Sequence, residues 1–167
     1  MRILVFLHGT AIMHRGGVGR SREERVKQVI DGKDESLRDF ASYVPVGDAV
    51  RKLHRWVEQG AQISYLSSHQ RPERVEQDRT VLRKHGFPDG PVLFRGLGEH
   101  YADVVERTLP DVLVEDDCES IGGEKEMVSP RVRPELRAGR TWIVVKEFGG
   151  IDHLPDDVRE LASSAGR

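Results

Sequence analysis

At 167 residues, 37% of them hydrophobic and 32% charged, the chain has the size and balance of one globular domain, which buries roughly 70% of its unfolded surface. Its 26 basic and 28 acidic residues nearly cancel, which argues against a nucleic-acid partner or an anionic membrane surface. A single cysteine, Cys118, excludes an intramolecular disulfide and a cysteine-based zinc site; no stretch has the apolar length of a transmembrane helix or a signal-peptide core, so a cytoplasmic protein is expected.

In chain order, Arg2 to Leu7 (RILVFL) is a continuous apolar run of the kind that forms a central parallel strand. It ends in a polar turn, His8-Gly9-Thr10. From His14 to about Phe40 the pattern is irregular: HRGGVGR is a glycine-rich basic loop, and SREERVKQVI reads as a short helix with Ser21 and Glu24 as its capping box. The loop's Gly17 and Gly19, with Arg15, Arg20 and Arg22, would suit a phosphate, but a flexible link explains them as well. The stretch 14–43 is expected to be a small cap or flap inserted into one domain spanning 1–167.

Val46, Val50, Leu53, Trp56 and Val57 then fall at helical spacing, and Gly60 stops that helix. A strand over Gln62 to Leu66 ends in Ser67-Ser68-His69. The next helix carries Pro72 in its first turn, Val75, Val81 and Leu82 inward, and Gly86 as its end signal. Pro91 to Phe94 is a third strand, and a helix over roughly Gly98 to Thr108 leads to the run DVLVEDDCESIGG, in which Val112, Leu113 and Val114 pass straight into Glu115, Asp116 and Asp117. After a proline-broken surface excursion over 124–140 come a last strand, Thr141 to Lys146, a loop, EFGGIDHLP, and a closing helix, Pro155 to Ser163. Strands separated by helices predict an α/β fold, a Rossmann-like three-layer α/β/α arrangement around a mainly parallel sheet.

Such a sheet gathers its loops at the carboxyl ends of the strands, where open α/β proteins bind ligands. There Glu115, Asp116 and Asp117 form a candidate Mg²⁺ site, since crowded carboxylates repel one another and hard oxygen donors suit that ion. The plainer alternative is an acidic loop that caps the next helix through Asp117 or Ser120. The three acids would raise the Cys118 pKa and blunt it as a nucleophile. Three further loops join the edge: His8-Gly9-Thr10, Ser67-Ser68-His69, and 149–153 ending in His153. Each histidine has a structural alternative as a turn, capping or backbone-bonded side chain, and N-capping alone would explain one of the two serines.

These motifs resemble the haloacid dehalogenase superfamily over roughly Arg2 to Gly123. The resemblance implies a Rossmann-like sheet and Mg²⁺-dependent hydrolysis or transfer of phosphoryl groups. Where that family opens with Asp-x-Asp-Gly-Thr, this chain reads Phe6-Leu7-His8-Gly9-Thr10; YLSSH supplies Ser67 as the second-motif hydroxyl, and VLVEDD supplies the acidic motif. Phe6 stands where the family has its nucleophile and His8 where it has its general acid/base. No lysine lies between Lys84 and Lys125, so Arg95 or Arg107 would have to serve as the charge-offsetting cation.

Three readings follow. One is a hydrolase or phosphotransferase on a small phosphorylated metabolite or nucleotide, with His8, Asp116 and Ser67 catalytic and Gly9, Thr10, Ser68, His69, Arg95 and His153 binding the anionic substrate. The second is a non-catalytic ligand-binding domain. The third is a protein-interaction module using the 14–43 excursion as its contact surface.

Overall fold

The computed structural model describes residues 1–163. Its chain runs β1 (Arg2–Phe6), β2 (Ile12–Met13), α1 (Arg22–Asp31), β3 (Val44–Pro45), α2 (Ala49–Glu58), β4 (Gln62–Leu66) and α3 (Pro72–His85). It continues through β5 (Val92–Leu93), α4 (Tyr101–Thr108), β6 (Val112–Asp116), α5 (Pro134–Arg137), β7 (Thr141–Val145) and α6 (Val158–Ser163). Five strands form one parallel sheet in the order β5-β4-β1-β6-β7. The two most apolar runs, β1 and β6, lie side by side in its middle, because only central positions cover a strand on both faces.

Side-chain alternation divides the core in two. Ile3, Val5 and Leu7 face α2, α3 and α6, whose Leu53, Trp56, Val81 and Leu161 complete one layer. Leu4 and Leu113 face Val104 and Val105 of α4 and the 124–140 segment, which contributes Val128 and Val132. The three-layer α/β/α expectation therefore holds.

Most local expectations hold, with corrections at the ends of elements. Ser21 and Glu24 form the reciprocal capping box of α1, and Gly86 ends α3 in the left-handed region at φ 71°. The inward face of α2 is rotated from the expected stripe, keeping Leu53 and Trp56. The helix begins at Ala49, so Ala49, Lys52, Leu53 and Trp56 point inward, and Val57 is left 37% exposed. β1 stops at Phe6 because the Leu7 carbonyl accepts from the amides of Ala11 and Ile12, curling the chain out of the sheet.

Residues 14–43 leave and rejoin the sheet side of the chain through a two-strand antiparallel ribbon, β2 with β3, in which Ile12 pairs with Pro45 and Met13 with Val44. Between them lie α1 and three short 3₁₀ turns. Arg25 braces the stretch internally by donating to Gly17 O at 3.0 Å and ties it to the loop after β7 by donating to Phe148 O at 2.9 Å.

The segment after β7 lies on α2. Lys52 Nζ donates to Leu154 O, the Trp56 indole to Pro155 O at 2.9 Å, and Gln59 to Asp156 O at 2.7 Å. Trp56→Phe would keep the buried ring but leave Pro155 O without its donor, at a cost of about 1 kcal/mol. Urea unfolding should show that loss as a lower midpoint at unchanged slope.

Candidate functional site

Carboxyl-end loops of β1, β4, β6 and β7 surround a cavity of about 570 Å³, whose walls include His8, Ser68, Arg95, Asp116, Glu147 and Phe148. The 14–43 stretch lines one side with His14, Leu37, Arg38 and Tyr43.

The acidic wall is built from two adjacent strands. Asp116 is paired in register with Val145, so the two chain ends leave the sheet together and bring Glu147 against Asp116 and Asp117. Oxygens of these three carboxylates lie within 4.8 Å of one another. Asp116 accepts from the Thr10 hydroxyl at 2.7 Å and the Cys118 amide at 2.9 Å. Glu147 accepts from the Ser120 amide at 2.6 Å and hydroxyl at 2.7 Å. Burial, reinforced by neighbouring carboxylates, raises the pKa of both Asp116 and Glu147. Burial also acts to raise Asp117, but the Glu147 amide and Lys146, whose Nζ is 3.0 Å from it, outweigh that effect and lower it. Cys118 is raised by burial first and then by Asp116, Glu115 and Glu147, so its thiol stays protonated at neutral pH.

Glu115 has a different environment. Consecutive strand residues point to opposite faces, so Glu115 and Asp116 diverge. The Glu115 carboxylate borders the same cavity but accepts from the amides of Val128 at 2.8 Å and Ser129 at 2.9 Å, which anchors the 124–140 segment; the third carboxylate converging with Asp116 and Asp117 is Glu147.

The opposite wall is organised by a residue the sequence reading passed over, Asp78. It lies on α3 between Val75 and Leu82 and is fully buried. Its Oδ2 accepts from Ser67 Oγ at 2.5 Å and its Oδ1 bonds His8 Nε2 at 2.9 Å. The other ring nitrogen of His8, Nδ1, bonds Ser68 Oγ. Burial acts to raise Asp78, but the hydrogen bonds from His8 and Ser67 prevail and hold its pKa below the ordinary value. Ser67 is therefore spent inside the protein, whereas Ser68 reaches the cavity.

Arg95 lies over the Tyr101 ring, 3.9 Å from its centroid, and donates to Ser68 O at 3.2 Å; its buried Nε has no acceptor. Arg107, the other candidate cation, pairs with Glu99 outside the cavity. Phe6 lines the cavity and packs edge-on against Tyr101, with ring centroids 5.5 Å apart.

The remaining candidates separate by burial. Gly9 is required: at φ 87° an added Cβ would lie 2.8 Å from Asp116 Oδ2. Thr10 is buried as the support of Asp116. His153 is exposed and away from the cavity, because its neighbour Asp152 holds that loop to the Asp48 amide at 2.8 Å. His69 packs against Phe40 and His8 with Nε2 unpaired, 4.0 Å from Asp78.

Sequence comparison finds no matching family model and no matching curated protein. Structure comparison finds the class C acid phosphatase from Bacillus anthracis, solved with tungstate bound, at a TM-score of 0.57 and 12% identity over 99% of this chain and 78% of that one. A second structure of the same phosphatase gives identical figures. A phosphoserine phosphatase in apo form aligns over 98% of both chains at a TM-score of 0.46 and 12% identity, too loose a likeness to carry an argument. The likeness shows the fold: a Rossmann-like three-layer α/β/α arrangement around a parallel sheet, shared with that acid phosphatase.

Glu115→Ala should destabilise the protein by about 2 to 6 kcal/mol, one to three for each buried amide left without an acceptor. Hydrogen exchange should locate the loosening at 124–140. A Glu115→Ala protein of unchanged stability would show that this carboxylate does not anchor the segment.

Burial, then the neighbouring His8, lowers the His69 pKa from 6.5 to about 4, against the pull of Asp78. Between those values the unfolded chain binds a proton that the folded protein refuses, so His69 costs stability as pH falls from 6.5 towards 4. The melting temperature of His69→Gln should fall less steeply over that interval than that of the wild type.

Proposed function

We propose that this protein is a hydrolase or phosphotransferase acting on a small phosphorylated metabolite or nucleotide. The supporting observation is a single cavity whose acidic wall, Asp116 with Asp117 and Glu147, stands opposite the Arg95 cation with its unpaired buried Nε. An anion bound between them would meet the positive charge of the Arg95 guanidinium. The cavity is in the size range of small-molecule sites, and the acid phosphatase of similar fold was solved with an oxyanion, tungstate. The 14–43 insertion would act as a small cap, its His14, Arg38 and Tyr43 walling the substrate from water.

Asp116, Asp117 and Glu147 fit a hard divalent cation, Mg²⁺ first, because their oxygens converge and two of them are buried carboxylates raised in pKa. When bound, that ion supplies charge stabilisation to a phosphoryl oxygen. The chain's own groups do the rest: Arg95 holds the anion, Gly9 lets the backbone pass close to Asp116, and His8 at the cavity wall moves the proton. Phe6 cannot form the aspartyl-phosphate that the family resemblance would imply. The same substitution favours a second reading, a ligand-binding module without turnover.

A thermal-shift panel with Mg²⁺, Mn²⁺, phosphometabolites and nucleotides tests both. A ligand at 100 times its dissociation constant adds roughly 2.7 kcal/mol of stability, and Asp116→Asn should abolish the metal-dependent part while the protein stays folded. Stabilisation with product release supports the enzyme, and stabilisation without it supports the binding module. No response to any metal or phosphorylated ligand at millimolar concentration overturns the reading.

A further inference from the structure

With position 6 occupied by phenylalanine, the cavity needs another nucleophile if a covalent route exists, and its wall presents one. Ser68 is an exposed residue at the carboxyl end of β4, its hydroxyl in contact with His8 Nδ1. The far nitrogen of the same ring, Nε2, is 2.9 Å from the fully buried Asp78 Oδ1. Because Asp78 is an ionised acceptor, it fixes the proton of neutral His8 on Nε2, which leaves Nδ1 as a lone-pair acceptor facing the serine. Ser67 donates to the other Asp78 oxygen at 2.5 Å and prevents the carboxylate from turning away. Hydroxyl, imidazole and buried carboxylate stand in the order of a nucleophilic relay, which is recognised by geometry and not by fold or sequence position.

The surroundings match that role. Tyr43 packs edge-on to the His8 ring with centroids 5.4 Å apart, and His69 does so at 4.7 Å, so the imidazole is held on its flanks as well as at both nitrogens. The Ser68 carbonyl accepts from Arg95 at 3.2 Å and from the Tyr101 hydroxyl at 3.2 Å. The guanidinium is thereby tied to the residue that would attack, with its unpaired Nε beside it.

We propose that Ser68 is the nucleophile of this site, with His8 as its general base and Asp78 as the residue that positions His8. This deepens the phosphoryl-transfer reading and rests on it for the substrate class. In the first half-reaction Ser68 Oγ attacks the phosphorus of a phosphate monoester and passes its proton to His8 Nδ1. The Oγ–P bond forms, the bond from phosphorus to the leaving alcohol oxygen breaks, and that oxygen, in line on the far side of phosphorus, takes a proton from solvent water. In the second, a water in the place of the alcohol attacks the phosphoserine and gives its proton to the hydroxide left in solvent, the Oγ–P bond breaks, and His8 returns its proton to Ser68 Oγ, releasing inorganic phosphate. Arg95 holds the non-bridging oxygens throughout.

A fluorophosphonate probe reads this without knowledge of the substrate, because attack on its phosphorus expels fluoride and leaves a stable adduct. The folded, chelator-treated full chain should gain one adduct, mapped by peptide mass to Ser68. Ser68→Ala, a change at an exposed position, should lose it entirely. His8→Asn should slow labelling at least tenfold with unchanged circular dichroism. No adduct on Ser68, or labelling indifferent to His8→Asn, overturns the proposal. Labelling that requires added Zn²⁺ also overturns it, since the nearby donors of His8, His69 and Asp78 would then serve a cation. Phosphate-ester turnover that survives Ser68→Ala overturns the nucleophile but leaves the phosphoryl-transfer reading standing. A His8-dependent Ser68 adduct on a protein that binds and turns over no phosphorylated compound supports the nucleophile and removes that reading.

Discussion

Taking a carboxylate out of water costs several kcal/mol unless its lone pairs are used or a cation is near, and the cleft is arranged around how Asp116 meets that condition. The Thr10 hydroxyl and Cys118 amide occupy one oxygen each. For Thr10 to reach it, the chain after β1 must curl at Leu7 and pass Asp116 with no side chain in between, which only glycine permits at position 9. The same curl carries His8 off the sheet and against α3, where it bonds Asp78. One desolvated acid thus fixes both the acidic wall and, through the turn that supports it, the direction of the histidine on the other wall.

The two walls differ electrostatically. Asp116 and Glu147 are raised acids crowded together, with Lys146 relieving Asp117. Asp78 is a lowered acid whose two oxygens are engaged by His8 and Ser67. One wall thus retains unneutralised negative charge suited to a cation, while the other holds an ionised carboxylate that orients a base. Separating two such carboxylate environments is how a protein assigns acids to different roles at one pH.

Much of this was legible in the sequence, because apolar runs of strand length, helix-period stripes and glycine stops report local physics. β1, β4 and β6 and their carboxyl-end loops fall where the pattern puts them. What was not legible depended on side-chain direction. Three acids in a row read as one cluster, yet strand alternation sends Glu115 to the opposite face. Asp78 did leave a signal: three residues after Val75 and four before Leu82, it is a charged residue within an apolar stripe. Glu147 left none, since only the register of β7 beside β6 brings it to Asp116. The 149–153 loop was expected at the cleft, but the donors that hold the following carbonyls, Lys52 and Trp56 on α2 and Gln59 just after it, lie far away in sequence, and His153 goes with that loop.

The position of Asp78 also makes α3 an indexed part. From Pro72 to Asp78 the helix advances about one and two-thirds turns, and each added or deleted residue rotates everything beyond it by about 100°. A single-residue insertion in that first stretch would swing the carboxylate off His8 and Ser67 even if the helix docked in the same groove. Insertions after Leu82, towards the exposed end at Arg83 and Lys84, would leave that angle untouched. The helix therefore has a counted half and an uncounted half, and tolerance to length change along it is a direct readout of where its one buried charge is needed.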